Sequence, residues 1–188
     1  MSYVAKIIMC GNSMVGKTSL LARYSEDIFK EKYNQTVGAN FLVKEINLAQ
    51  IADQIEFKDP QFREDLLNKG FKIYFWDIGG QKHTLFVTGY YFEDASGAML
   101  VFNLNDRESF EQLDFWVEKI HEKCGDIPYI IVGNKIDLLE GDDPEISDRE
   151  IEQKCDELGV EWMKTSAKSS KNVEPAFNLL FQEIILSL

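Results

Sequence analysis

The stretch Gly11-Asn12-Ser13-Met14-Val15-Gly16-Lys17-Thr18 fits the spacing G-x-x-x-x-G-K-S/T, and it restricts the fold more than any other part of the chain. Such a segment works as a turn between a strand and a helix. Its glycines let backbone N–H groups turn inward and approach phosphate oxygens closely. Lys17 then supplies a compact positive charge to the β- and γ-phosphates, and the Thr18 hydroxyl is a hard oxygen ligand suited to magnesium. A helix beginning there directs the positive end of its dipole at the anion. The expected phosphate contacts run over Ser13, Met14, Val15, Gly16, Lys17, Thr18 and Ser19. The flanks meet the requirement: Val4 to Met9 is an apolar run broken by one lysine, and Thr18 to Tyr24 reads as a helix start.

Strand and helix signals continue to alternate. Ala39 to Leu48 and Phe71 to Trp76 are rich in β-branched or aromatic residues and read as strands. Ala98 to Leu104 and Tyr129 to Val132 are continuous apolar stretches, the pattern of strands buried on both faces of a parallel sheet. Between them Phe110, Leu113, Val117 and Ile120 recur at helical spacing, with Ser109 or Asp106 available as a cap. Ile151 to Leu158 and Val173 to Leu186 supply two more amphipathic helices, and Val160 to Met163 a last short strand. Strands alternating with helices imply right-handed βαβ crossovers. At 188 residues the expectation is a single α/β domain spanning 1–188, doubly wound, with a mostly parallel six-stranded sheet and helices on both faces.

Segment 49–70 departs from a minimal version of that plan, since a hairpin needs only a few residues. Leu48, Ile51, Ala52 and Ile55 fall on one helical face. Asp59-Pro60 offers an N-cap followed by proline at the first helical position, and Gly70 is placed as a stop, which predicts a short helix near 60–69. The insertion is either a tolerated surface insertion, since loop length costs little once a loop exists, or a partner or self-association surface, because Ile51, Ile55, Phe62, Leu66 and Leu67 need burial somewhere.

A net charge of −12 argues against nucleic acid as the main partner and against electrostatic docking on anionic lipid. Cys10, Cys124 and Cys155 have no metal-ligand spacing and cannot all pair, which fits a reducing, cytoplasmic setting. Neither a signal peptide nor a membrane span is expected from the start of the chain. Ser2 is not the glycine that N-myristoylation needs, and the residues Glu183 to Leu188 hold no cysteine for prenylation. That leaves a soluble protein or a chain shown without its tail. His83 and His121 lack metal partners at useful spacing, and Trp116 and Trp162 read as packing residues.

Two further strings extend the chemistry. Asn134-Lys135-Ile136-Asp137 follows an apolar strand; alone it reads as a polar turn, but beside a phosphate loop it gains meaning. A carboxylate at Asp137 accepts hydrogen bonds from guanine N1–H and the 2-amino group, which adenine lacks, and leaving such a group unpaired is worth a discrimination of about 10⁴. Ser166-Ala167-Lys168 offers a loop N–H to the guanine carbonyl. In Asp77-Ile78-Gly79-Gly80-Gln81, Asp77 is placed as the strand-end carboxylate of a magnesium shell. Gly80 can offer its N–H to the γ-phosphate, and Gln81 can orient an attacking water. A plain turn accounts for that string equally well when it is taken in isolation.

In the order of these segments the chain resembles a Ras-superfamily small GTPase, most of all the Rab group. The resemblance implies a cycle of GTP and GDP binding with Mg²⁺, slow hydrolysis of GTP, and switch loops read by effectors in vesicle traffic or signalling. It matches Thr36, within Tyr33-Asn34-Gln35-Thr36-Val37-Gly38, to the threonine that completes the magnesium shell with Thr18 and Asp77 when GTP is bound. Gln81, Lys17 and Thr36 are then the catalytic set, and Tyr33 joins the nucleotide contacts. Phe29 resembles the aromatic that packs edge-on against guanine, although helix-end core packing also explains it. Trp76 is placed either on the surface that effectors read or in packing. No arginine within the motifs offers a finger in cis, so an arginine supplied in trans by a GTPase-activating protein is worth roughly 10³–10⁵. Exchange factors are expected on the same ground.

The departures are equally specific. Gly79-Gly80 replaces the usual alanine-glycine pair and resembles the Arf and Gα pattern, while Ser2 and the short N-terminus are unlike Arf. Met14 stands where many relatives carry a small residue, Lys82 where glutamate is usual, and segment 49–70 is foreign to the ordinary Rab plan. These keep a nucleotide-holding scaffold with little hydrolysis as an alternative. A P-loop kinase or ATPase would require adenine preference and a lid bearing arginines.

Overall fold

The computed structural model describes residues 3–29, 36, 38–46, 52–55, 57, 59–80, 89–139 and 144–188. Strand β1 (Tyr3–Cys10) is apolar at nearly every position because it lies inside the sheet: Ile7 and Met9 face one helical layer, Ile8 and Cys10 the other. The sheet has the spatial order β2-β3-β1-β4-β5-β6. Here β2 is Ala39–Ile46, β3 Phe71–Ile78, β4 Gly97–Asn103, β5 Tyr129–Asn134 and β6 Trp162–Lys164. All neighbours pair parallel except β2, which runs antiparallel to β3 from Ala39 opposite Ile78 to Ile46 opposite Phe71.

Helices close both faces, as the alternation predicts. On one side α1 (Lys17–Glu26), α2 (Pro60–Lys69) and α6 (Val173–Ser187) bring Leu20, Leu66, Phe177 and Phe181 onto Ile7, Met9, Phe75 and Val101. On the other, α3 (Arg107–Glu111), α4 (Leu113–Cys124) and α5 (Asp148–Leu158) bring Phe110, Trp116, Ile120 and Ile151 onto Ile8, Leu100 and Ile131. Each layer is a continuous apolar cluster, so removal of this area from water holds the three layers together. Among the described residues no helix is long and apolar enough to cross a membrane.

Two boundaries differ from the sequence reading, each for a local reason, and one cap is decided between the two residues offered. The helix expected across Phe110 to Ile120 is two, because Gln112 takes φ −78 and ψ −3, which opens the turn between α3 and α4. Asp106 is the cap of α3, its carboxylate accepting from the Ser109 N–H at 3.3 Å, while Ser109 itself is buried. Strand β6 starts at Trp162, not Val160: Gly159 ends α5 at φ 67 and the Val160 N–H still bonds Cys155 O at 3.0 Å, so Val160 belongs to the helix stop.

Within 49–70 the helix α2 forms with the predicted ends. Asp59 Oδ1 accepts from the Gln61 N–H at 2.9 Å, Pro60 opens the first turn, and Gly70 closes it at φ 75 with its N–H on Leu66 O at 3.0 Å. Ala52, Ile55 and Leu66 are buried, and Phe57, Phe62 and Leu67 pack partly buried against the same cluster as α1 and α6. Phe62 meets Tyr3 edge-on at 5.8 Å. These side chains find their burial inside the chain's own core, which removes the ground for reading them as a face that needs a partner. Leu48 and Ile51 lie outside the described residues.

Candidate functional site

The site forms where β1, β3 and β5 end along one edge of the sheet. From β1 the chain turns through Gly11 to Gly16 into α1 and carries Lys17 inward, where only 6% of it is exposed. Its ammonium donates to Gly11 O and Asn12 O, each at 2.8 Å. Burial pulls the Lys17 pKa down to about 8, against the attraction of Asp77, so the loop holds a cation that lacks a full counter-charge. Val15 is buried within the loop, whereas Met14 is 61% exposed and sits at φ 66.

Strand β3 runs two residues beyond the expected Trp76, and that extension seats Asp77 on the floor of the site. Asp77 is fully buried. Its Oδ2 accepts from Thr18 Oγ1 at 2.5 Å, and Thr18 Oγ1 lies 3.0 Å from Thr36 Oγ1. Desolvation raises the Asp77 carboxyl above its ordinary value, opposed by the Thr18 hydroxyl, the Lys17 charge and, least, the Asn40 amide. Oδ1 has no hydrogen bond of ordinary geometry among the described residues. A buried carboxylate oxygen without a partner, beside two hydroxyls, suits a hard cation. No cluster of three or more His, Cys, Asp or Glu side chains completes a metal cage among the described residues. Mg²⁺ meets that condition, because it keeps phosphate oxygens and water in its shell.

Gly79 and Gly80 follow directly and lie against neighbouring backbone. The Gly79 N–H bonds Gly38 O at 2.8 Å, and a Cβ on Gly80 would come within 2.3 Å of Asn12 C and Ser13 N. Only a residue without a side chain lets β3 end this close to the phosphate loop.

The far end of the site is knitted by Asn134, the last residue of β5, which is 1% exposed. Its amide donates to Val15 O at 2.9 Å, and its Oδ1 accepts from Thr165 Oγ1 and Ala167 N, both at 3.2 Å. Thus one carboxamide, at the end of β5, braces the phosphate loop against the loop after β6. Lys135 follows at φ 69, its pKa lowered by burial against the charges of Asp106 and Asp137. Asp137 Oδ1 accepts from Ser166 Oγ at 2.5 Å, so the two strings expected to read a base are in contact. Lys168 is exposed beside them.

The remaining candidates divide. Ser13 and Ser19 lie in and just after the loop, and Phe29 is partly buried against the core cluster under α1. Ser2, Tyr33, Gln81, Lys82 and His83 lie outside the described residues. Trp162 packs partly buried in the second layer. Sequence reasoning missed Asn12, whose Oδ1 accepts from the buried Trp116 indole at 3.0 Å, and Arg23, which bonds the loop after β6. Neither pairing has a spacing rule, since the partners lie 104 and 144 residues apart.

A phosphate loop at the end of a strand, opening a helix of a doubly wound sheet, places the chain in the class of P-loop nucleotide-binding domains. Comparison with known proteins carries this further. Residues 6–186 match the family model described as "Ras: Ras family". The chain is 33% identical over 187 residues to human Ras-related protein Rab-8B, covering 99% of this chain and 81% of that protein. It is 35% identical over 187 residues to Ras-related protein Rab-11B of Dictyostelium discoideum, at 99% and 76% coverage. It is 32% identical over 183 residues to Ras-related protein Rab-8A of Mus musculus, at 97% and 79% coverage. The chain belongs to the Ras family and is most like its Rab group. It is a small GTPase, a switch that binds GTP or GDP with Mg²⁺, hydrolyses GTP, and works through regulators and effectors.

Proposed function

We propose that the residues assembled here divide the work of that switch as follows. Thr18, Thr36 and the buried Asp77 carboxylate hold Mg²⁺, and the observation that carries this is the Asp77 Oδ1 without a hydrogen bond of ordinary geometry among the described residues, beside the two hydroxyls. When bound, the ion neutralises charge developing between the β- and γ-phosphates. Lys17 and the amides of Ser13 to Ser19 bind and orient the phosphates, and Gly80 offers its N–H to the γ-phosphate. Gln81 and the Thr36 carbonyl position water. Asp137 and the loop Ser166 to Lys168 select guanine, with Lys135 and Phe29 flanking the base, Tyr33 closing over the nucleotide, and Asn134 bracing the set.

Effectors read the exposed aromatic strip on the β2–β3 hairpin. Phe41, 53% exposed, lies 5.0 Å from Trp76 and 5.7 Å from Tyr74 between ring centres, and Trp76 lies 5.3 Å from Tyr91. Residues 1–188 act as one guanine-nucleotide domain in the cytoplasm, with 49–70 as an insertion between the switches, in a vesicle-traffic role. Supporting this reading are the contact of Asp137 with Ser166 and the packing of α2 on the shared core.

Competition of GTP against ATP for the purified protein tests the base assignment, and tight ATP binding would overturn it. Single-turnover hydrolysis with Gln81→Leu as control tests the catalytic one: the variant is expected to be slower, and equal inertness of both proteins would leave a nucleotide-holding scaffold.

A further inference from the structure

Arg23 projects from the last turns of α1 and makes more polar contacts than its place on a helix requires. Its Nε donates to Ala167 O at 2.9 Å and its Nη2 to Lys168 O at 3.1 Å. Its Nη1 donates to Asp27 O at 2.9 Å and to Asp27 Oδ1 at 2.8 Å. The side chain is 15% exposed, so these bonds are shielded from water on the arginine side, although Asp27 itself is 85% exposed. The planar guanidinium fork suits this task, because it meets two successive carbonyls through Nε and Nη2 and two acceptors of Asp27 through Nη1.

The guanidinium joins the end of α1 to the loop after β6. Asp27 sits at φ 53, where α1 stops and the chain turns toward Phe29. Ala167 and Lys168 form the loop beside Asp137 and Asn134, and Ala167 is 3% exposed. A peptide unit is planar and trans, so a carbonyl fixed toward Arg23 fixes the next N–H in the opposite direction. Tying Ala167 O outward therefore aims the Lys168 N–H inward. The following unit behaves the same way: with Lys168 O on Nη2, the Ser169 N–H reaches Ser166 Oγ at 3.0 Å, the hydroxyl that donates to Asp137.

We propose that Arg23 is the positioning residue of the base-recognition loop, fastening Ala167 and Lys168 to the Asp27 turn and so setting where the loop amides meet the guanine 6-carbonyl and how fast nucleotide leaves. This rests on the reading that Asp137 and residues 166–168 face guanine. The arginine touches no part of the nucleotide; it acts through the two carbonyls it holds.

The test compares dissociation of GDP, of IDP, which lacks the 2-amino group, and of 2-aminopurine riboside diphosphate, which lacks the 6-carbonyl, all with Mg²⁺. Wild type is expected to prefer GDP over both. In Arg23→Gln, loss of charge-assisted bonds is expected to speed GDP release about tenfold. The preference for GDP over the 2-aminopurine nucleotide should shrink by a similar factor, while the preference for GDP over IDP stays as in wild type. Arg23→Lys keeps the charge without the fork and is expected to follow Arg23→Gln, so either variant alone decides the matter. If both preferences survive unchanged, or fall together, Arg23 is not a positioning residue for the carbonyl. If wild type itself fails to distinguish GDP from the 2-aminopurine nucleotide, the assignment of the loop falls instead.

Discussion

The indole Nε1 of Trp116 donates to Asn12 Oδ1 at 3.0 Å, fastening helix α4 to the phosphate loop. Trp116 is fully buried, and the backbone carbonyl of Asn12 already receives Lys17. The loop is therefore held from beneath by a residue that is remote in sequence. Trp116→Phe keeps most of the packing and leaves the Asn12 oxygen unpaired. Its expected cost is about 1–2 kcal/mol in unfolding free energy of the GDP-bound protein. A cycle with Asn12→Ala should show that the two losses are not additive; full additivity would mean that the bond contributes nothing.

Gly79 sets how closely the end of β3 approaches the segment bearing Thr36 and Gly38. A Cβ placed there would lie 2.8 Å from Thr36 O and 3.0 Å from Gly38 O. Both are backbone atoms, so the segment bearing Thr36 would have to retreat. Gly79→Ala is expected to slow single-turnover GTP hydrolysis about tenfold by displacing Thr36, while GDP dissociation barely changes. An unaltered hydrolysis rate would show that the close approach is incidental.

Met14 occupies the left-handed region at φ 66 with most of its side chain in water. That backbone conformation costs a residue bearing a Cβ roughly 1–2 kcal/mol, while glycine gives back part of the gain as chain entropy. Met14→Gly should therefore leave the GDP-bound protein more stable by about 1 kcal/mol at most. A clear drop in melting temperature would show that the thioether makes contacts that outweigh the strain.

Glu150 gives the acid limb of stability a definite shape. Its carboxylate takes a hydrogen bond from Arg107 Nη1 at 2.6 Å and closes a capping box with Ser147 at the start of α5. Arg107 and then Ser147 hold its pKa down to about 2 from an ordinary 4.5. The folded value lies below the unfolded one, so the contribution is complete above 4.5 and is lost as pH falls toward 2. The stability difference between wild type and Glu150→Gln should be level from pH 7 to about 5 and shrink below that. A difference that stays constant down to pH 2.5 would contradict the assignment.

Leu66, 1% exposed on α2, ties that helix to the main core. Leu66→Ala should lower the unfolding free energy by about 3 kcal/mol. A change below about 1 kcal/mol, the size usual for surface substitutions, would show that the segment is peripheral to folding.

Much of this was legible before any coordinates. Gly11 to Thr18 declares its turn through glycine and lysine at fixed intervals, and Asp59-Pro60 with Gly70 declares both ends of α2. Local chemistry dictates those features, so local sequence records them. The break at Gln112 was hidden because the apolar spacing of Phe110, Leu113 and Val117 continues across it. The reach of β3 to Asp77 was hidden because a charged residue ends an apolar pattern even where the ladder goes on. Trp116 with Asn12 and Arg23 with Ala167 could not be read, since only the folded chain brings them together. For the same reason the apolar residues of α2 looked like a surface until the core they complete was visible.

Asn134 joins Val15 to Thr165 and Ala167 through contacts spanning 119, 31 and 33 residues. A growing chain emerges from the ribosome amino end first, so its phosphate loop is among the earliest parts made. The brace that sets that loop needs Asn134, Thr165 and Ala167, which emerge more than a hundred residues later. A nascent chain halted before Thr165 carries every atom of the phosphate loop without the support that shapes it. The loop is therefore complete in sequence well before Thr165 and Ala167 are present to fix Asn134 against Val15.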